Sequence, residues 1–345
     1  MPGLSIIGTG RFLPGRPYTN HDLARVLDTN DAWIQQRTGI RQRHFCPIGQ
    51  GASHLALPAA REALASARLG PEDIDYILFN TMTPDHVFPG SGPLLGAALG
   101  CTGVPALDLR TQCAAMLFAF QTAEALLVSG AARRILIVGA EAHASVMPWR
   151  DWDILSGERE GRPSEEDWKR ASDERGWSII FGDGAGAIVV ERAERPDAGI
   201  LAMDLHTDGR YAEQLCTREG FRVGQAWQSP PFIHMAGRDV FKHAVTKLPR
   251  SIEAVCQKAG VPMESIDWFV AHQANQRINE AVCERLGVTP EKMPSNIDRY
   301  GNTSAATIPI LLDEMNRDGR LKRGQLVCML ALGAGFHWGS ALIRY

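Results

Sequence analysis

The chain of 345 residues lacks the marks of several protein classes. Its seven cysteines, at 46, 101, 113, 216, 256, 283 and 328, are odd in number and never in C-x-x-C spacing. That argues against a disulfide framework or a zinc knuckle, and predicts free thiols, no metal site and a reducing, cytoplasmic setting. The net charge of -3 gives no general pull toward nucleic acid. The start, Met1 to Gly10, has no basic lead into a long apolar run, so it reads as a strand and glycine turn rather than a signal peptide. No apolar stretch is expected to reach the roughly 18 residues of a membrane span. A phosphate loop and a G-x-G-x-x-G fingerprint are both missing.

What is present is an ordinary globular composition, 45% hydrophobic and 22% charged. Short apolar runs alternate with helical patterns. Tyr76–Asn80, Ile135–Gly139, Gly186–Val190, Trp268–Ala271 and Leu326–Ala331 read as strands. Leu55–Ala67, Ala114–Val128, Asp239–Ala259, Gln276–Leu286 and Ala305–Asp318 read as helices. Continuous apolar strands between helices predict an α/β protein with sheets covered on both faces. The pattern occurs twice, which predicts two similar halves, 1–177 and 178–345. One segment breaks it. Asp151–Trp177 carries nine acidic and five basic residues, and Ser164 is placed to cap a helix over Ser164–Arg175. It is either a solvated surface insertion or a flap beside a substrate entrance. Trp152, Trp168 and Trp177 favour the flap.

Cys113 stands where the strand Val104–Leu109 gives way to the helix. A thiol in the first helical turn is exposed to the partial positive charge of unpaired N–H groups, which favours thiolate. Such a residue is either a core cysteine or a nucleophile. Two other polar residues hold similar positions. His272 ends the strand Trp268–Ala271, and Asn302 lies in a Gly-Asn turn before the Ala305 helix. Sites in α/β proteins form at strand ends, so the three together predict one site. The glycine segments Phe181–Ala187 and Leu332–Phe336 allow close backbone approach, and N–H groups of the second could form an oxyanion hole.

Asn30–Arg41, the Cys113 segment, Phe181–Ala187, His272–Arg277, Gly301–Ala306 and Gly335–Ala341 together resemble the β-ketoacyl-acyl carrier protein synthase III family of thiolase-like condensing enzymes. The resemblance covers nearly the whole chain apart from Asp151–Trp177. It implies a five-layer αβαβα fold, a homodimer, no cofactor, and CoA and phosphopantetheine thioesters as substrates. It implies that Cys113 takes an acyl group from acyl-CoA. His272 and Asn302 would then hold the malonyl thioester of malonyl-acyl carrier protein during decarboxylation. The N–H groups of Cys113 and Ala334 would form the oxyanion hole. Trp33, Arg37 and Arg175 match positions that grip CoA, and Asn275 and Phe88 match substrate-binding positions. Lys242, Arg277 and Arg285 would form a basic rim for the acidic carrier protein. Arg110–Gln112 and Ala115–Leu117 depart from the family pattern around the nucleophile. That departure predicts an acyl donor other than acetyl-CoA, of medium chain length. A related acyltransferase priming a natural-product pathway would keep the same residues. A cysteine hydrolase is the alternative of another class, because Cys113, His272 and Asn302 follow the Cys, His, Asn order of papain-like enzymes.

Overall fold

A computed structural model describes residues 3–193, 198–217, 223 and 233–345. Two main sheets organise it. Across the first lie Leu4–Phe12, Gly184–Arg192, Arg134–Glu141, Tyr76–Asn80 and Ala106–Leu109, in that order. Across the second lie Trp268–Ala271, Leu326–Gly333, His337–Arg344 and Gly199–Thr207. The central stretches of the strands are apolar because both faces of each sheet are covered. Ile135, Ile137, Ile188 and Val190 point to one side, and Leu136, Val138, Ala187 and Val189 to the other.

The helices Ala115–Ser129 and Thr307–Arg317 lie between the sheets and bury Met116, Leu117, Phe120, Leu311 and Met315 in the shared core. Helix Ala52–Ala67 covers the outer face of the first sheet, and Gly237–Ala259 with Gln276–Leu286 covers that of the second. The result is the five-layer αβαβα order. The helical stretch Gln112–Ser129 also has the length and mean hydropathy of a membrane span, against the sequence expectation that no segment does. Its apolar composition is explained by its position, since a helix between two sheets meets apolar side chains on opposite flanks. It ends at Gly130, which takes φ +77 as the left-handed cap.

The boundary at 177 needs correction. Strand Gly184–Arg192 belongs to the first sheet, paired antiparallel with both Leu4–Phe12 and Arg134–Glu141. The first half therefore extends to Arg192. The charged segment is also more than a solvated insertion. Its helix runs Glu165–Asp173, with the Ser164 hydroxyl accepting from the Asp167 N–H. Ile154, Leu155, Ala171 and Trp177 are buried against Leu23, Val26, Leu27 and Ile34. The Asp28 N–H donates to Ser172 at 2.9 Å, which fastens the segment beside Trp33.

Candidate active site

The two central helices begin at the same place. A single 3₁₀ turn, Gln112–Ala114, leads into the first, and another, Ser304–Ala306, leads into the second. Among the described residues three non-glycine residues have positive φ, and two of them meet here. Gln112 (φ +49) presents Cys113, and Ser304 (φ +47) faces it. Left-handed backbone costs an L-residue about 1–2 kcal/mol, so packing must hold both turns. Gly333, at the end of its strand, closes the site from the second half. A Cβ there would lie 2.9 Å from the Cys113 nitrogen, so only glycine lets the strand end come this close.

Cys113 is 8% exposed, and its sulfur lies 3.4 Å from the Ser304 hydroxyl. Burial, with a smaller push from the Glu141 carboxylate, raises the thiol to about 12. This overturns the expectation of a thiol acidified by its helix start. The helix end is a local effect. Desolvation and a carboxylate from another strand are not, and they outweigh it.

His272 and Asn302 are each 5% exposed. The Asn302 carbonyl oxygen accepts from the Ser304 N–H at 2.8 Å, which leaves its NH₂ to donate elsewhere. Asn302 itself is held by backbone bridges to Ile180 and Gly182. Gly182 permits this because a Cβ there would sit 2.5 Å from the Tyr300 carbonyl oxygen. His272 Nδ1 lies 2.7 Å from the Thr307 hydroxyl, while its Nε2 is buried with no hydrogen-bond partner. Burial pushes the imidazole down to about 3, so it is neutral near pH 7. The Thr307 hydroxyl lies 3.0 Å from the Ser304 carbonyl oxygen. Ser304 and Thr307 thus knit the three expected residues together. The hydrolase alternative fits poorly, because the ring nitrogen that an orienting Asn would hold belongs to Thr307 instead.

Around this centre the other expected residues divide into groups. Trp33 has the guanidinium of Arg37 at 4.3 Å and that of Arg175 at 5.2 Å from its ring. Arg175 also pairs with Asp28 at 2.6 Å. Asn275 caps helix Gln276–Leu286 and donates to the Arg37 carbonyl at 3.0 Å, so it joins this mouth to the second half. Lys242, Arg277 and Arg285 are exposed on two helices that pack together. Phe88 lies on a surface loop and is 78% exposed. Ala334 follows Gly333 in the turn against Cys113. Among the described residues no cluster of His, Cys, Asp and Glu could hold a metal ion.

Three residues of the site had no role in the sequence reading: Ser304, Thr307 and Glu141. Ser304 lies inside the Gly301–Ala306 motif, and Thr307 follows it directly. Glu141 closes an apolar strand, and a carboxylate in that position was the available signal.

Comparison with known proteins gives the family. The model of the 3-oxoacyl-[acyl-carrier-protein] synthase III family matches residues 107–156 and 165–209, and that of the family's C-terminal part matches 256–345. A β-ketoacyl-[acyl-carrier-protein] synthase III of Thiobacillus denitrificans is 42% identical over 341 residues, which covers 99% of this chain and 98% of the relative. This chain belongs to the β-ketoacyl-acyl carrier protein synthase III family. It is an acyltransferase of the condensing type on the thiolase fold. Between residues 107 and 209 the family match is broken only over 157–164, so the departure there is narrower than the whole of Asp151–Trp177. The synthase III crystal structure from Aquifex aeolicus superposes with a TM-score of 0.86 at 38% identity, covering 99% of this chain and 100% of that one. The priming β-ketosynthase of the R1128 polyketide pathway gives 0.85 at 28% identity, with 99% and 97% covered.

Proposed function

We propose that this synthase loads a medium-chain acyl group from acyl-CoA onto Cys113. It then condenses that group with malonyl-acyl carrier protein, giving 3-oxoacyl-carrier protein, CO₂ and CoA. The observation that carries the reading is the joining of Cys113, His272 and Asn302 through Ser304 and Thr307. The sulfur attacks the acyl thioester carbonyl, and the bond to CoA breaks. Negative charge on the former carbonyl oxygen is met by the N–H groups of Cys113 and Ala334. The malonyl thioester carbonyl then sits between the Asn302 NH₂ and His272. Loss of CO₂ leaves an enolate, whose carbon attacks the acyl group and expels the Cys113 sulfur. Donors aimed at the enolate oxygen stabilise charge that develops only in the transition state.

A neutral His272 donates from Nε2 once the Thr307 hydroxyl turns its one proton from the Ser304 carbonyl oxygen, where it rests, to Nδ1. Thr307→Val removes that setting, which is worth about 1 kcal/mol, the typical value of one hydrogen bond. We expect malonyl decarboxylation to slow roughly fivefold, and acyl-enzyme formation to suffer less, when CO₂ release and acyl-enzyme mass are followed separately.

Trp33, Arg37 and Arg175 suit the flat base and phosphates of CoA, with Asn275 at their side and Phe88 as a further substrate contact. Lys242, Arg277 and Arg285 suit an acidic carrier protein, and the working unit is a homodimer. The medium-chain reading rests on Arg110–Gln112 and Ala115–Leu117 around the nucleophile. Saturation kinetics with straight-chain acyl-CoAs from acetyl to dodecanoyl test it. The highest kcat/KM is expected at an intermediate length, and a clear preference for acetyl-CoA contradicts it. The likeness to the R1128 priming enzyme favours a second reading with the same chemistry, in which the product primes a natural-product pathway.

A further inference from the structure

We propose that Ser304 and Glu141 form the proton relay of Cys113, carrying the thiol proton to the Glu141 carboxylate during acylation and returning it after condensation. The proposal rests on Cys113 being the acyl acceptor, and it answers a question that reading leaves open. A buried thiol needs a base, and His272 is a poor one, since it is buried, neutral and bound to Thr307 rather than to the sulfur. Among the described residues Ser304 is the one side chain hydrogen-bonded to the Cys113 sulfur, at 3.4 Å.

Behind Ser304 lies Glu141, fully buried at the end of strand Arg134–Glu141. Its carboxylate accepts from the hydroxyls of Thr83 at 2.7 Å and Thr81 at 3.1 Å. It also accepts from the N–H groups of Met82 at 3.1 Å, Thr83 at 3.2 Å and Ala305 at 3.4 Å. The Ala305 N–H bond places the carboxylate next to Ser304, near enough for the Ser304 hydroxyl to turn to it. Burial raises this carboxyl to about 6 against the pull of those donors, so near pH 7 it is ionised and can still take a proton. A hydroxyl holds one proton and accepts another. Ser304 can therefore donate to Glu141 while it accepts from the Cys113 thiol.

The proton count closes. As the sulfur attacks the acyl thioester, the thiol proton moves to the Ser304 oxygen and the Ser304 proton moves to Glu141. The carbon–sulfur bond to CoA breaks, and the CoA thiolate takes a proton from solvent. The acyl-enzyme then holds a protonated Glu141. When the enolate carbon attacks, the carbon–sulfur bond to Cys113 breaks. The departing thiolate regains its proton through Ser304, and Glu141 is again a carboxylate. One solvent proton is consumed per turnover, as decarboxylation requires.

The test turns on a sign. As a fixed negative charge, Glu141 only raises the Cys113 thiol. On that view Glu141→Gln should make the thiol more acidic and speed acyl-enzyme formation. As the proton acceptor, its loss should slow the same step about a hundredfold, within the range of general base catalysis. The measurement is the rate of acyl-Cys113 formation from acyl-CoA, by rapid quench and intact-protein mass. Ser304→Gly, which removes the hydroxyl while tolerating φ +47, should also slow it, and Glu141→Gln should add little in that background. An unchanged or faster rate in Glu141→Gln overturns the relay, as does an effect undiminished in the double variant. If Glu141→Gln does not fold, the wild-type rate in mixtures of H₂O and D₂O decides. A curved dependence, from two protons in flight, supports the relay, and a straight line contradicts it. Failure of the wild type to form any acyl-Cys113 would instead sink the proposed function.

Discussion

Cys113→Ala abolishes acyl-enzyme formation and lowers condensation by at least 10⁴-fold, the scale seen when a covalent nucleophile is removed. The fold is expected to survive. The sulfur makes one side-chain hydrogen bond, to Ser304, and the residue is already small. Its removal leaves a void of less than a methylene pair, worth about 1 kcal/mol. That predicts a change in Tm of only a few degrees for a chain of this size. Intact-protein mass after incubation with acyl-CoA, beside a thermal melt, separates the two effects. A persisting acyl adduct in the variant would place the nucleophile elsewhere.

His272→Ala gives the second large effect, and a selective one. Removing one donor from a developing oxyanion costs roughly 10²- to 10³-fold. We expect that loss in CO₂ release from malonyl-acyl carrier protein, while self-acylation changes by only a few-fold, because the ring is bound to Thr307 and not to the Cys113 sulfur. The pH dependence carries the same assignment. Burial pushes His272 down to about 3, so the imidazole stays neutral throughout the range from pH 5 to 8. Decarboxylation in the wild type should therefore show no inflection from an imidazole near its ordinary value of about 6.5. Equal loss of both half-reactions in His272→Ala would contradict the donor role.

Much of this arrangement was legible in the chain, for identifiable reasons. Strands covered on both faces are apolar runs, so Tyr76–Asn80 and Leu326–Ala331 announced themselves, the second running on to Gly333 in the structure. Cys113, His272 and Asn302 stand where strands or turns give way to helices, a local feature. What failed depended on contacts distant in sequence. Strand Gly184–Arg192 is apolar whichever sheet it joins, and only its pairing with Leu4–Phe12 places it in the first half. The thiol of Cys113 looked acidic from its helix start, but Glu141 and the burial that raise it come from other elements. In the charged segment 151–177 the acidic residues suggested solvent, while Ile154, Leu155 and Trp177 were packing against Leu23 and Leu27. Ser304 and Thr307 are small hydroxyl residues beside a motif, and only their distances to sulfur and imidazole give them roles.

The central claim is that acyl-Cys113 is the species consumed in decarboxylative condensation. Its most direct test is a chase. The protein is incubated with acyl-CoA, freed of excess donor, and mixed with malonyl-acyl carrier protein while intact mass and CO₂ are followed together. The account predicts an adduct of one acyl group on Cys113 that disappears at the rate CO₂ and 3-oxoacyl-carrier protein appear. An adduct that outlasts CO₂ release, or one lost to water with no 3-oxoacyl product, would contradict it.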